Sequence, residues 1–200
     1  MNDSPFIILL YCAIAIYIGR LYKSDIDAYL RAAPNPKALP GASTCSGFLM
    51  LASLMVSIIL LGNEVLGEYV LEIVEEQNEM VWFFLFASIS AGIIEELVFR
   101  GYLVITDKGK TMLIASCIGF SAIFSLIHGY LFDFTDGFKL VLSPKALFTS
   151  WILFANSLWF YALRFGPWNP SRSILPSMLA HAGLNLGIFG VKFAQGFIIF

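Results

Sequence analysis

A small set of ionisable and amide side chains stands out in this strongly apolar chain. Its members are Glu95, Glu96, Arg100, His128, His181 and Asn185. The two histidines are the only ones among the 200 residues. Carboxylates and imidazoles accept and release protons, whereas arginine and asparagine side chains donate hydrogen bonds to negative charge. Residues of these types could support proton transfer, provided that the fold brings them together.

The elements that must position these side chains are membrane-spanning helices. Apolar residues make up 58% of the chain and charged residues only 13%, which is far from the balance of a soluble domain. Because a helix needs roughly 20 mostly apolar residues to cross the hydrocarbon core, we searched for stretches of about that length. Six are found, at residues 5–22, 45–61, 80 to about 105, 111–132, 146–163 and 173–190.

The fold class predicted from these stretches is all-α, a polytopic transmembrane bundle of about six helices. Alternating strands that would indicate a membrane barrel are absent from the sequence. No internal repeat or second domain is visible, so we expect a single integral membrane domain over residues 1–200. Within it, residues 1–79 would supply N-terminal helices and a proline-rich linker, and residues 80–200 a catalytic helical core.

Spacing along the third predicted helix assigns different surroundings to its two glutamates. Glu96 and Arg100 are four residues apart, so a carboxylate and a guanidinium can pair on one helix face. Glu95 points about 100° away and is left without that partner. Its own face carries Ser88 and Gly92, small residues that allow helices to approach closely in membranes. We therefore expect Glu95 to face the bundle interior.

The histidines and the asparagine can reach the same depth as Glu95. From the charged turn after the third helix, Glu95 lies about 18 Å and His128 about 25 Å along their helices. Counted from Arg172, His181 and Asn185 lie about 14 and 20 Å along the sixth helix. These values are compatible with one layer. Two other interpretations remain open, a structural charge cluster and hydrogen bonds that hold helices together.

Positive charge is distributed unevenly and predicts an orientation. Counting Arg100, nine of the 12 Lys and Arg residues fall on the side reached after helices 1, 3 and 5. The loop before the third helix carries glutamates and no Lys or Arg. Because positive residues favour cytoplasmic loops, we expect an extracytoplasmic N-terminus, with a bacterial cytoplasmic membrane as the default location. The expected partners are a lipid bilayer and a membrane-associated protein or peptide substrate, and no basic run predicts nucleic-acid binding.

Three runs in the second half of the chain resemble motifs of the CAAX protease and bacteriocin-processing family of intramembrane proteases. They are Glu95-Glu96-Leu-Val-Phe-Arg100, Phe124-Ser-Leu-Ile-His128 and His181-Ala-Gly-Leu-Asn185. The family's patterns are E-E-x-x-x-R, F-x-x-x-H and H-x-x-x-N. All three occur in order on successive polar helices, between residues 95 and 185. Each motif alone would be weak, but together they are specific.

The resemblance implies hydrolysis of peptide bonds of prenylated or membrane-embedded tails. Glu95 would act as general base on a water that His128 helps to hold. His181 and Asn185 would stabilise the oxyanion. No cofactor is expected in this mechanism.

The pair formed by Glu96 and Arg100 would support the site.

The family's older metalloprotease label keeps a zinc alternative open, with Glu95, His128 and His181 as ligands. No histidine pair has the compact His-Glu-x-x-His spacing, so we favour the metal-free mechanism. A non-catalytic protein of the same fold, such as a bacteriocin-immunity or scaffold protein, is the alternative function. A proton-relaying transporter is a third class, although no repeat supports it.

Overall fold

The computed structural model describes residues 4–135 and 137–200, and these form six α-helices. The helices are α1 (Pro5–Leu30), α2 (Gly47–Val70), α3 (Phe84–Glu95), α4 (Lys110–Ile127), α5 (Pro144–Phe165) and α6 (Leu175–Ala194). A π-helix, Glu96–Leu103, continues α3 without a break. The predicted all-α bundle is confirmed. Four helices, α1, α2, α4 and α5, are long and apolar enough to cross a membrane.

The elements that carry most of the polar site residues, α3 with its π-helix and α6, lie at the centre of the bundle. Helix α6 packs against α2, α3 and α5, while α1 covers α3 and α4 covers α5. Core side chains include Phe160 and Leu163 from α5 with Ala180 and Leu184 from α6. Polar residues on α3 and α6 are therefore shielded from lipid by the surrounding helices. This arrangement reduces the cost of burying charge in a membrane.

The first two helices extend well beyond the predicted apolar stretches. Helix α1 continues through charged residues to Leu30, and α2 continues past residue 61 to Val70. Lys23 and Asp27 form an exposed ion pair of 2.7 Å along the added turns of α1. An apolar run sets the length of a membrane span, whereas a helix continues into water while its residues still favour helical hydrogen bonding. The predicted ends were therefore wrong.

The third and fourth predicted helices are shorter than their apolar stretches. Residues 80 and 81 form strand β1 (Met80–Val81), which pairs in parallel with β4 (Ile198–Ile199) of the C-terminal tail. Helix α4 ends at Ile127, and the chain reverses at Gly129, whose φ of 76° suits glycine. The chain then forms β2 (Phe132–Asp133), paired antiparallel with β3 (Lys139–Leu140). A short 3₁₀ turn, Val74–Glu76, precedes β1.

Hydrogen bonds between two loops hold the start of α6 in place. Ser43 Oγ donates to Ser171 O over 3.0 Å, and Ser173 Oγ donates to Ser43 O over 2.6 Å. The Leu175 amide donates to Ser173 Oγ over 3.3 Å, which satisfies one donor of the first turn. The proline-rich segment of residues 33–40 contains turns but no helix. These contacts fix the register of α6 against the rest of the bundle.

Candidate active site

Glu96 lies at the centre of the polar cluster and contacts two basic side chains. Its Oε1 is 3.1 Å from Nη1 of Arg100 and 2.9 Å from Nδ1 of His181. Glu96 and Arg100 are both completely buried. A buried cation and anion stabilise each other only when they are paired, because each alone carries a large desolvation cost. The predicted Glu96–Arg100 pair is present, although the segment is a π-helix and not an α-helix.

Aromatic rings and a serine complete the surroundings of Arg100. Its Nη2 donates to Ser157 O over 3.1 Å and to Ser157 Oγ over 2.6 Å. The guanidinium carbon lies 4.8 Å from the Tyr161 ring centre, 4.9 Å from that of Phe124 and 5.2 Å from that of Phe160. Cation–π contacts of this kind strengthen when the cation is desolvated. With the Phe99 ring at 5.8 Å, the charge of Arg100 is thus held by one carboxylate, one serine and four rings.

The π-helix accounts for another contact with α5. In a π-helix, hydrogen bonds run from residue i to i+5, and such segments occur often at functional sites. The hydroxyl of Tyr161 donates to the carbonyl oxygen of Phe99 over 2.9 Å. This bond satisfies a buried carbonyl that lies within the widened turns, as burial of backbone polar groups requires. Tyr161 thereby fixes the segment that carries Glu96 and Arg100.

His181 is held in one orientation and lies between the two glutamates. Its Nδ1 must carry a hydrogen, because the Glu96 carboxylate 2.9 Å away accepts and cannot donate. The opposite nitrogen, Nε2, lies 3.8 Å from Oε2 of Glu95. The Phe160 ring stacks on the imidazole at 4.7 Å between centres, with 17° between the planes. Only Nε2 is left to interact with water or substrate.

A close crossing of α3 and α6 brings these residues together. A Cβ atom added to Gly92 would lie 3.0 Å from the backbone nitrogen of Ala182 and 3.2 Å from its Cα. Glycine therefore permits a backbone approach that any other residue would widen. Near the same crossing, Asn185 Nδ2 donates to the carbonyl oxygen of Ser88 over 2.8 Å. One amide hydrogen of Asn185 remains available to a ligand.

Exposure separates the two adjacent glutamates. The side chain of Glu96 is 0% exposed, whereas that of Glu95 is 28% exposed. Glu95 is therefore accessible from outside the cluster while Glu96 is enclosed by its two partners. As expected, Glu95 does not pair with Arg100; the basic side chain beside it is His181.

His128 is set apart from the other site residues. It follows the last residue of α4, its side chain is exposed, and its Nδ1 donates to Phe124 O over 2.7 Å. Because a carbonyl only accepts, Nδ1 of this ring carries a hydrogen, and in the neutral ring Nε2 is an acceptor. Within residues 4–135 and 137–200, His128 forms no hydrogen bond or ion pair with Glu95. It is linked to His181 through Phe124, whose ring centre lies 4.6 Å from His128 and 6.0 Å from His181.

Comparison with models of known protein families finds a match for the part of the chain that carries these residues. The model of the family described as type II CAAX prenyl endopeptidase Rce1-like matches residues 77–187, more than half of the 200 residues. The chain belongs to this family. Searches of curated proteins and of solved structures find no significant match. The matched region contains all six predicted site residues, and with several helices able to span a membrane, this CAAX endopeptidase is an integral membrane hydrolase.

The candidate site includes residues that the sequence did not indicate. Ser157, Phe160 and Tyr161 on α5 contact Arg100 or His181, yet none is charged and none stands out in an apolar helix. Their shared signal is spacing, since residues 157 and 161 are four apart and lie on one face of α5.

The residues of the zinc alternative do not fit a metal ion as they are arranged. Glu95 and His181 are neighbours, but His128 lies apart at the end of α4. Across the described residues, no three His, Cys, Asp or Glu side chains form a group able to hold a metal. Both imidazoles use Nδ1 in hydrogen bonds within the protein. As they are arranged, these residues therefore do not form a metal site.

Proposed function

We propose that this CAAX endopeptidase hydrolyses peptide bonds within the membrane by means of a water activated by Glu95. The observation that carries the proposal is the difference between two adjacent carboxylates. Glu96 is enclosed by Arg100 and His181, whereas Glu95 is partly exposed and has only the more distant Nε2 of His181 beside it. A general base must reach both water and substrate, which Glu95 can do and Glu96 cannot.

The proposed reaction uses the partly exposed Glu95 carboxylate and the free hydrogen-bond donors of Asn185 and His181. Glu95 removes a proton from water as the water oxygen bonds to the scissile carbonyl carbon. The tetrahedral intermediate collapses with cleavage of the C–N bond, and protonated Glu95 returns its proton to the leaving nitrogen. Negative charge that develops on the carbonyl oxygen is stabilised by the free amide hydrogen of Asn185 and by His181. Because Nδ1 of His181 already donates to Glu96, donation from Nε2 requires the doubly protonated ring.

The remaining charged residues have supporting roles in this proposal. Glu96 contacts both Arg100 and His181, so the cluster keeps its arrangement while charge moves. In its neutral form, His128 accepts a hydrogen bond at Nε2 from the water or the substrate amide at the exposed end of α4. The family description supports prenylated protein or peptide tails as substrates. We also propose a bacterial cytoplasmic membrane and an extracytoplasmic N-terminus.

A cleavage assay in a bilayer tests the proposed function. The purified protein, reconstituted in lipid nanodiscs, is incubated with prenylated and unprenylated peptides, and products are identified by mass spectrometry. We expect the wild type to cleave and Glu95→Gln to be inactive. Glu79→Gln, which changes an exposed glutamate outside the cluster, is the matched control and should remain active.

Two outcomes would lead to a different function. Normal cleavage by Glu95→Gln would reject Glu95 as the base. Absence of cleavage by the wild type, with normal growth phenotypes for Glu95→Gln in cells, would favour the non-catalytic immunity or scaffold function. Mapping new and lost protein termini in the membrane proteome of a deletion strain would identify the substrates.

A further inference from the structure

An aromatic hairpin joins α4 to α5 on the side of the bundle where α2 ends. Strands β2 and β3 pair Phe132 with Leu140 and Asp133 with Lys139. The Val141 amide extends the pairing by donating to Leu131 O over 2.9 Å. We use the name aromatic hairpin for residues 131–135 and 137–142. Its position next to His128 makes its surroundings relevant to the site.

The aromatic hairpin exposes an unusual amount of apolar surface for a loop. The Phe132, Phe134 and Phe138 rings form a cluster with centres 5.7 to 6.4 Å apart. Phe134 is 71% and Phe138 68% exposed, and Leu140 and Leu142 are also exposed. Connections between helices are ordinarily polar, and a contiguous apolar patch indicates contact with a partner or a membrane. The rings contact one another, and those of Phe134 and Phe138 leave most of their surface uncovered, whereas Phe132 is partly buried.

The attachment points of the aromatic hairpin determine where this surface lies. Helix α4 ends at Ile127 and α5 begins at Pro144, and both helices can span a membrane. Four residues separate Ile127 from Phe132, so strand β2 of the hairpin begins no more than about 18 Å from the end of α4. Phenylalanine and leucine side chains at this level can enter the boundary between headgroups and acyl chains. A lipid surface is thus directly within reach of the exposed rings.

The electrostatic surroundings of Tyr130, at the base of the aromatic hairpin, support a position at the membrane boundary. Partial burial raises the pKa of the Tyr130 hydroxyl, and the negative charges of Glu64 and Glu68 raise it further. These carboxylates lie in the last turns of α2, where that helix leaves its apolar stretch. Tyr130 therefore lies near the polar boundary of the membrane, where tyrosine is enriched in membrane proteins. At the turn, Asp133 Oδ1 accepts from the Thr135 amide over 2.9 Å and so satisfies a local polar group.

We propose that the aromatic hairpin inserts Phe134 and Phe138 into the interfacial layer of the lipid bilayer and so holds the end of α4 at a fixed depth. His128 lies at that end, and the chain between them is short and hydrogen-bonded. The Phe132 amide donates to Gly129 O over 3.1 Å, and the Gly129 amide donates to Leu126 O over 3.0 Å. The partner is the lipid surface itself. The consequence for catalysis rests on the proposed role of His128, but the insertion does not.

Spin-label accessibility tests the insertion directly. The three native cysteines, which form no disulfide, are replaced by serine, and a nitroxide is attached at Phe134→Cys. Glu75→Cys, an exposed site on the same side of the bundle, is the aqueous control. In lipid vesicles we expect the label at 134 to collide more with oxygen than with a water-soluble nickel complex, and the label at 75 to show the reverse. Equal nickel access at both sites would overturn the proposal, as would dipolar broadening between copies at 134.

Cleavage measurements test the effect of this anchoring on catalysis. They use the protein with its native cysteines, so they can be made even if the cysteine-free protein does not fold. Phe134→Ser combined with Phe138→Ser should lower cleavage in bilayers roughly tenfold, within the range caused by misplaced groups. The rate in detergent should change little, and tryptophan at both positions should restore the bilayer rate. The control is Phe6→Ser, which changes a 75% exposed apolar side chain on α1, away from the aromatic hairpin. Equal losses in bilayer and detergent would contradict anchoring, whereas inactivity of the wild type would reject the proposed function and leave the label result to decide the insertion.

Discussion

Replacing Glu96 by Gln tests the assignment of different roles to the two adjacent glutamates. The substitution keeps the size of the side chain and its ability to accept from Nδ1 of His181, but it removes the charge paired with Arg100. Since Arg100 is completely buried, water cannot replace the missing carboxylate. We therefore expect a folding defect in addition to any loss of activity.

The expected size of the defect follows from the burial of the pair. Breaking a buried ion pair by removing one partner costs about 3–5 kcal/mol. For a chain of this length, 1 kcal/mol corresponds to about 2–4 °C, so Tm should fall by roughly 10 °C. Glu95→Gln instead changes a partly exposed side chain whose carboxylate is 3.8 Å from His181, which is too long for a hydrogen bond. Its Tm should change by only about 2 °C, whereas its cleavage rate should fall about 100-fold or more.

The assay measures Tm and cleavage rate for both variants in the same detergent. Adding Arg100→Met to Glu96→Gln is the internal control, because removal of both charges should recover part of the stability. If Glu95→Gln is the destabilised variant and Glu96→Gln the folded but inactive one, the roles are reversed. If both variants cleave normally, the enzymatic role of this cluster is rejected.

Four further predictions follow from the site and the orientation. Gly92→Ala should widen the crossing at Ala182 and lower cleavage about tenfold, with little change in secondary structure by circular dichroism. Phe160→Leu removes the ring stacked on His181 and should lower kcat more than it raises KM. Exhaustive chelation should leave cleavage intact, and stoichiometric zinc whose return restores activity after its removal would favour the metal mechanism. A cysteine at Asn63 should react with an impermeant reagent in intact cells, and labelling only after the cytoplasmic face is opened would reverse the orientation.

The helices could be predicted from the sequence more reliably than their ends. Apolar stretches locate the six helices because the hydrocarbon thickness sets a minimum length. They do not show where α1 and α2 stop, since Glu64 and Lys23 are good helix formers outside a membrane. Nor does hydropathy distinguish a helix from the short β1 strand, because Met80 and Val81 are apolar in either conformation. Residues 80 and 81 form a strand because they pair with β4 in the C-terminal tail, which is distant in the sequence.

The parts of the candidate site that depend on spacing along one helix could be predicted from the sequence. The Glu96–Arg100 pair follows from four-residue spacing, which brings side chains together in an α-helix and keeps them in contact in this π-helix. His181 could be placed in the same layer by depth alone. The position of His128 could not, because its separation from Glu95 depends on how α4 ends and turns.

Glu96 shows why stability and catalysis are coupled in this protein. The same Oε1 atom contacts the buried Arg100 guanidinium and accepts from Nδ1 of His181. One carboxylate thus neutralises a cation that the membrane interior would otherwise disfavour, and it also fixes which imidazole nitrogen is directed toward Glu95. A destabilised variant of Glu96 that loses activity therefore cannot assign it a chemical role, because the same change removes the charge paired with Arg100. Glu95, with its weaker contacts and partial exposure, is the position at which loss of activity without loss of folding identifies the base.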